Sequence, residues 1–292
     1  MQPTIEAFEQ WLFEEGRSPR TIESYVSDVK GFQRFLKEKA TEEEHPLSRF
    51  SFVRYKEHLM KEDFAVTTIN KKVNSLKVYN DFLRTTGVLE ESVIQLKRDK
   101  IHIAAGSEAA VTSLSEEQVE QLLFFVENRN KVSTRNKLIV YLMLYTGVRV
   151  SELVSIKLTD IDFLTSHLQV IGKGGKRREI GLKSEVLRLV RDYIKEERSG
   201  SVFHQSGYLL VSQRAEKMHR DAVRDWLANI SNDVGFKLHP HLFRHTFCTR
   251  LLKKGVDLTT VSKLAGHSTV NMTAKFYIQT TREEKMDAIN RL

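Results

Sequence analysis

Proline is scarce in this chain, and its scarcity limits what the chain can fold into. Only four of the 292 residues are proline, and 14 are glycine. Because proline is the residue that most strongly interrupts a helix, so few prolines predict long helices with few breaks. The longest apolar run, Leu138 to Tyr145, is far shorter than the roughly 20 residues that a membrane-spanning helix needs. We therefore expect no membrane segment.

Apolar residues at helical spacing predict an all-α domain over residues 1–100. A first helix is expected from about Thr4 to Glu15. Ser18 followed by Pro19 is typical of the start of a second helix. Behind it, apolar residues recur three and four positions apart, at Ile22, Tyr25, Val29, Phe32 and Leu36. Two further helices are predicted near residues 50–61 and 66–86, and four helices on one core complete the domain.

The rest of the chain predicts a linker and a mixed second domain. Residues 101–112 show no periodicity and contain small residues, as a linker does. In residues 113–292, a capping box from Ser113 to Glu116 would open a helix, with further helices near 133–146 and 149–156. Residues 160–183 alternate around a Gly-Lys-Gly-Gly-Lys turn, which predicts a β-hairpin. Helices are expected again from Ser184 onward, so the fold class is mainly α with a small antiparallel β-sheet (α+β).

The net positive charge of the chain comes entirely from residues 106–292. Residues 1–105 contain 17 Lys and Arg against 17 Asp and Glu, whereas residues 106–292 contain 29 against 21. This imbalance favours a polyanionic partner such as nucleic acid. Cys248 is the only cysteine, which excludes a disulfide framework and a cysteine-based zinc site. The first residues carry no secretory signal, so a cytoplasmic protein is expected.

One short segment, His-Pro-His-Leu-Phe-Arg-His at residues 239–245, contains the residue types that act on an anion. The proline opens a helix, which places His241 in the first turn and Arg244 on the same face. An arginine can clamp anionic oxygens while a histidine moves a proton. Two other interpretations stay open: a metal site of His239, His241 and His245, or ordinary capping and interface residues.

Three more candidates are ambiguous when each is taken alone. Arg149 follows a helix-ending glycine and opens the next helix, whose positive end favours an anion, but an arginine there is usually a surface residue. Lys173 lies in the glycine-rich hairpin turn, where it can reach a phosphate or simply be solvated. Tyr277 follows Gly266-His267 by ten residues. A tyrosine is usually a packing residue, and its phenol, of pKa about 10, is a poor nucleophile unless cations assist it.

The order of these residues resembles the signature of the tyrosine recombinases, the phage integrase and Xer family. That signature is Arg149, Lys173, His241-x-x-Arg244, Gly266-His267 and Tyr277. The resemblance extends to three further segments. The start of the family's core-binding domain resembles residues 18–25, and the opening of its catalytic domain resembles residues 114–118. The entry to its small sheet resembles residues 160–162. In two departures, Phe243 stands where leucine is commoner, and the gap from His267 to Tyr277 is one residue longer than in many Xer-like members.

The resemblance implies a site-specific recombinase that works through a 3′-phosphotyrosine. Tyr277 would attack the scissile phosphodiester and free a 5′-hydroxyl, and a 5′-hydroxyl from a partner duplex would reverse the step. The other roles implied are a phosphate clamp for Arg149 and Arg244, general acid for Lys173, general base or acid for His241, and a hydrogen bond to the phosphate for His267. No cofactor and no metal is expected, because the arginines supply the positive charge.

The resemblance also implies partners and an assembly. The expected partner is double-stranded DNA with a specific recombination site. The protein would bind it as a homotetramer in the synaptic complex and would be monomeric or weakly associated without DNA. The two domains would clamp the duplex. The candidate base-reading residues lie on one polar helix face, and they are Asn70, Lys71, Asn74 and Lys77. The tail after Tyr277, with Met286, Ile289 and Leu292, would dock on its own domain or on a neighbouring subunit.

The role implied within the family is Xer-like, for example that of a transposon-encoded resolvase, since the chain begins almost directly at the helices like those of the core-binding domain. Two alternatives stay open. One is a DNA-binding architectural or regulatory protein that is catalytically silent. The other is a DNA-relaxing enzyme like the type IB topoisomerases, which share the chemistry without strand exchange between duplexes.

Overall fold

A computed structural model describes residues 4–39, 47–102, 112–128, 130, 132–172, 175–267, 269–274 and 289–290. The chain divides into two compact units, Met1–Glu108 and Ala109–Leu292. Within the ranges that the structure describes, no helix is both long and apolar enough to cross a bilayer.

The described part of the first unit contains helices and no strand, as predicted. Its helices are α1 (Ile5–Glu14), α2 (Pro19–Glu38), α3 (Arg49–Lys61), α4 (Val66–Thr85) and α5 (Leu96–Asp99). The side chains of Thr4, Ser18 and Ser48 accept hydrogen bonds from backbone N–H groups in the first turns of α1, α2 and α3, which satisfies donors that a helix start leaves free.

Aromatic side chains from α1, α2, α3 and α4 fill the core of the first unit. Phe8, Phe32, Phe52, Tyr79 and Phe82 are almost fully buried. The ring of Phe8 meets those of Tyr79 and Phe82 with centroids 5.1 and 5.3 Å apart. Such tilted and edge-to-face contacts add to the free energy gained by burying the rings. The short helix α5 was not predicted.

The second unit combines helices with a three-stranded antiparallel sheet in the order β1-β2-β3. Its strands are β1 (Ile161–Asp162), β2 (His167–Ile171) and β3 (Arg177–Gly181). Its helices are α6 (Glu116–Glu127), α7 (Thr134–Thr146), α8 (Val150–Leu153), α9 (Ser184–Asp192), α10 (Arg220–Val234), α11 (Pro240–Lys253), α12 (Leu258–Ala265) and α13 (Val270–Ala274). The predicted hairpin is confirmed, with Ile171 opposite Arg177 at its end.

Helix α7 forms the centre of the second unit. Every residue from Leu138 to Leu144 is buried, and α9 and α11 both pack against this helix. A helix that is apolar all round requires such burial. This arrangement places the last turn of α7 beside α11, where two of the candidate residues lie.

Two predictions about helix boundaries in this unit are wrong. The capping box lies at Ser115 and Gln118, not at Ser113 and Glu116. Leu114 is buried, and its N–H donates to Thr246 Oγ1 at 2.9 Å, so the chain stays extended until Ser115. The helix predicted over 149–156 is a single turn, α8, after which the chain turns and Lys157 pairs with Tyr208.

The expectation that helices resume from Ser184 onward is confirmed for α9, α10, α11 and α12 but is wrong for residues 199–219, which form turns and bends. The buried guanidinium of Arg198 organises this segment. It donates hydrogen bonds to the backbone carbonyls of four residues, which are His204, Ser206, Tyr208 and Leu209. A positive charge thereby satisfies carbonyl groups that a helix would have paired with its own N–H groups.

Candidate active site

The junction between α7 and α8 places the first candidate, Arg149. Helix α7 ends at Gly147 in a left-handed conformation (φ 61°), which glycine adopts without strain. A Cβ on Gly147 would lie only 2.3 Å from Phe247 Cδ1 on α11, so glycine also permits close packing there. Two residues later Arg149 is the N-cap of α8, as the sequence predicted.

Arg244 lies in α11 against this junction. His239 caps the helix and Pro240 opens it, so Arg244 comes just over one turn into the helix. Only 4% of the residue is exposed, and its Nη1 donates to the carbonyl oxygen of Gly147 at 2.9 Å. The other terminal nitrogen, Nη2, is buried and has no hydrogen-bond partner among the described residues. A buried cation without its full set of partners is costly, and an anion bound at Nη2 would remove that cost.

Arg149 lies close enough to Arg244 for their charges to interact. Its Nη2 donates to the carbonyl oxygen of Gly266 at 2.9 Å, and its Nη1 donates to Glu152 Oε1 at 2.8 Å. About a third of the side chain (31%) remains exposed. The structure therefore brings Arg149 next to the Gly266-His267 segment, 117 residues away in the sequence.

His267 follows the C-terminal end of α12, where Gly266 takes a left-handed conformation (φ 66°). Its Nδ1 lies 2.7 Å from the hydroxyl of Thr273 on α13. Burial, together with the charges of Arg244 and Arg149, lowers the pKa of His267 to about 4. The ring is therefore neutral at neutral pH, and it can donate a hydrogen bond without adding charge.

His241 lies in the first turn of α11, where the charges of Arg244 and Arg149 also act on it. Burial, and then the charges of His239, Arg244 and other cationic neighbours, lowers the pKa of His241. A neutral imidazole can accept a proton, which is the requirement for a general base. Within the part of the chain that the structure describes, no three His, Cys, Asp or Glu residues are grouped so as to hold a metal ion.

Lys173 and Tyr277 lie outside the described residues, but described neighbours of both belong to this site. A Cβ on Gly172, the residue before Lys173, would lie 3.5 Å from Glu152 Oε1. Helix α13 ends at Ala274, three residues before Tyr277, and its Thr273 contacts His267.

Two residues of the site were missed from the sequence, Glu152 and Arg178. Glu152 accepts hydrogen bonds from the N–H and Nη1 of Arg149, both at 2.8 Å. It also accepts from Arg178 Nη1 and Nη2, at 3.2 and 2.7 Å. These cations hold the pKa of Glu152 below its usual range, although burial acts in the opposite direction. The one available signal was the position of Glu152 three residues after a helix N-cap, as in a capping box.

The four candidate base-reading residues lie on α4. Both polar groups of the Asn70 side chain bond the backbone of Ile101, so this amide fixes the chain after α5. Lys71 pairs with the buried Asp28 at 2.9 Å, and Lys77 pairs with Asp81. Asn74 is partly buried. That these residues read DNA bases stays a prediction.

Comparison with known proteins identifies the family. Residues 112–284, more than half of the chain, match the model of the phage integrase family. Residues 5–87 match the model of the phage integrase N-terminal SAM-like domain.

The chain belongs to the phage integrase family.

Individual relatives of this family member are similar over most of their length. A TnP I resolvase from Bacillus thuringiensis is 33% identical over 269 residues, which covers 91% of this chain and 92% of the relative. A tyrosine recombinase XerC from Lacticaseibacillus casei is 29% identical over 284 residues, covering 94% and 92%. This integrase-family chain is therefore an enzyme of the tyrosine recombinase class, and the resemblance drawn from its sequence is confirmed.

Solved structures share the fold of this integrase-family chain. The XerH site-specific recombinase bound to a palindromic difH substrate has a TM-score of 0.77 at 19% identity, covering 99% of this chain and 85% of that one. A lambda integrase dimer bound to a COC′ core site has a TM-score of 0.72 at 17% identity, covering 95% of both. The predicted fold class, mainly helical with a small antiparallel sheet, is confirmed.

Proposed function

We propose that this tyrosine recombinase cuts and rejoins double-stranded DNA at a specific site through a 3′-phosphotyrosine and exchanges strands between two duplexes. The observation that carries the proposal is the buried Nη2 of Arg244, which lacks a partner among the described residues and lies in the cluster that contains Arg149 and His267. Two cations and a neutral imidazole at one place suit the nonbridging oxygens of a phosphodiester.

The arginines would act on the charge that develops during the reaction. When a nucleophile attacks phosphorus, negative charge grows on the nonbridging oxygens, and fixed donors stabilise it. Arg244 and Arg149 are held by the carbonyl oxygens of Gly147 and Gly266, so each guanidinium is oriented before DNA binds. Loss of one such donor typically lowers the rate by about 10²–10³, and we expect Arg244→Ala to fall in this range.

Proton transfer and transesterification would depend on three residues, Tyr277, Lys173 and His241. The phenolic oxygen of Tyr277 bonds to phosphorus and its proton passes to neutral His241, while the bond to the 5′-oxygen breaks. Lys173 gives its proton to that oxygen, so a 5′-hydroxyl leaves. In the reverse step a 5′-hydroxyl from the partner duplex attacks the phosphotyrosine and releases Tyr277.

A covalent adduct tests the nucleophile. Footprinting on the DNA that flanks the coding sequence would define the bound segment, and a nicked duplex of this segment would trap the intermediate. We expect a protein–DNA adduct on a denaturing gel from wild type and from Tyr208→Phe, a tyrosine outside the site, but none from Tyr277→Phe. No adduct from wild type, or an undiminished adduct from Tyr277→Phe, would refute the proposal.

Strand exchange and assembly need separate measurements. Recombinant products between two labelled duplexes are expected from a recombinase, whereas relaxation of supercoiled DNA without such products would indicate the topoisomerase-like alternative. We also propose a homotetramer on two duplexes, which light scattering of the protein with and without DNA would detect. If the two domains clamp the duplex, many phosphates are neutralised and affinity falls steeply with salt. A shallow salt dependence would count against the clamp.

A further inference from the structure

Arg178 on β3 connects three parts of the candidate active site. Only 11% of its side chain is exposed. Its Nη1 and Nη2 donate to both carboxylate oxygens of Glu152, at 3.2 and 2.7 Å. Its Nε donates to the carbonyl oxygen of Leu264 on α12 at 2.9 Å, and a Cβ on Gly266 would lie 2.8 Å from its Nη1. The roles proposed above for phosphate binding and proton transfer do not include this arginine.

The carboxylate of Glu152 lies between two guanidinium groups. Arg178 and Arg149 both donate to it, and its side chain is 5% exposed. Because water screens such a buried carboxylate poorly, its charge acts strongly on both neighbours. The three residues together carry one net positive charge. Without Arg178 the remaining pair of Glu152 and Arg149 would carry none.

We propose that Arg178 is a positioning residue for DNA cleavage, which neutralises Glu152 so that Arg149 keeps its positive charge for the scissile phosphate. The inference rests on the proposed function of Arg149. The second anchor of Arg178, at Leu264, holds its guanidinium beside the segment that carries His267. Arg178 itself makes no contact with the reacting atoms in this scheme and acts only through Glu152.

A double-mutant cycle of charge-removing substitutions tests this role. In Arg178→Met the carboxylate of Glu152 is left to Arg149 alone, and cleavage of the nicked duplex should slow by about 10–100-fold, which is less than the roughly 10²–10³-fold expected when a phosphate donor itself is lost. Glu152→Gln added to Arg178→Met removes the excess negative charge, and the double variant should cleave faster than Arg178→Met. Arg177→Met, an equal change of charge at the exposed neighbour on β3, should stay within about threefold of wild type. Rates are measured at saturating protein, with circular dichroism to verify folding.

A neutral scissile linkage separates this electrostatic role from a purely structural one. A methylphosphonate removes the charge of one nonbridging oxygen, so the loss caused by Arg178→Met should shrink on it, whereas a distorted site would be slow on both linkages. If the wild-type protein does not cleave the methylphosphonate linkage, the comparison of Arg178→Met with the double variant decides between the two roles.

Three results would overturn the inference: a wild-type rate for Arg178→Met, a double variant no faster than Arg178→Met, or equal losses on the two linkages. Absence of a wild-type adduct would instead refute the proposed function.

Discussion

Replacing Gly147 by alanine tests how tightly α7 and α11 must pack to build the site. Gly147 has a φ of 61°, and a Cβ there would lie 2.3 Å from Phe247 Cδ1, far inside van der Waals contact. The left-handed conformation costs an alanine about 1–2 kcal/mol. Phe247 is buried among Cys248, Val261 and Ala265, so relieving the overlap costs about 1–3 kcal/mol more. We expect Gly147→Ala to lower the free energy of unfolding by about 2–5 kcal/mol.

Gly235→Ala is the matched control for this substitution. Gly235 ends α10 with a φ of 80°, and no described atom lies within 4 Å of where its Cβ would be. Only the backbone cost of about 1–2 kcal/mol applies there. The difference between the two variants therefore measures the overlap with Phe247, and a smaller residue in Phe247→Val should reduce it.

Tryptophan fluorescence can report on the second unit alone. The chain has two tryptophans, Trp11 in the first unit and Trp226 beside the core of the second. In a Trp11→Phe background, urea unfolding followed at Trp226 gives the stability of the unit that contains both glycines. If Gly147→Ala is no less stable than Gly235→Ala, or if Phe247→Val does not reduce the difference between them, the packing argument is wrong.

Three further predictions concern stability, pH and the orientation of His267. Arg198→Met should lower the free energy of unfolding by about 3 kcal/mol or more in the same urea assay, because several carbonyls lose a charged donor. An effect below about 1 kcal/mol, as a surface substitution would give, would contradict this prediction. Since the pKa of His267 is about 4 in the folded chain and about 6.5 when unfolded, the unfolded state binds more protons between these values. Stability should therefore fall as pH drops from 6.5 to 4, by at most about 3 kcal/mol from this residue, and an equally steep fall in His267→Gln would contradict the assignment. Thr273→Val should change the ¹⁵N shifts of His267 and slow DNA cleavage about tenfold through misplacement of the ring; Thr273→Ser should restore both, and an unchanged spectrum in Thr273→Val would refute the contact.

Local patterns were sufficient to predict most helices and the hairpin. The spacing of apolar residues that predicted α2 reflects the face that it buries, with Ile22, Val29 and Phe32 all in the core. The hairpin was predictable because alternation and a glycine-rich turn are both local properties of residues 167–181. These signals depend on near neighbours in the sequence, which is why they needed no knowledge of the fold.

Boundaries that a distant contact decides were not predictable. Ser113 and Ser115 each have a capping partner three residues on, Glu116 and Gln118, so the local sequence permits either start of α6. The choice falls on Ser115 because the N–H of Leu114 bonds Thr246, 132 residues away. The same limitation applies to residues 199–219, whose turns depend on the buried Arg198.

The sequence singled out several residues of the candidate site, but it did not reveal the residues that hold them in place. Arg149, His241, Arg244 and His267 were ambiguous one by one, and only their order resembled a known signature. Arg178 gave no signal of its own, because an arginine on a short strand is ordinarily exposed. Its burial follows from contacts with Glu152 and with the end of α12, and these contacts exist only in the folded chain.

Three guanidinium groups lie close together in this site, and the backbone explains how their repulsion is offset. Arg244 donates to Gly147, the C-cap of α7, and Arg149 donates to Gly266, the C-cap of α12. Arg178 donates to Leu264 in the last turn of α12. The C-terminal end of a helix carries partial negative charge and unpaired carbonyl groups, so each arginine is held on one side by a helix end. Because the carbonyls and Glu152 compensate only part of the positive charge, the proposed phosphate site retains an excess that a bound anion would neutralise. The left-handed glycines that end α7 and α12 support this proposed site, since their carbonyl groups hold Arg244 and Arg149.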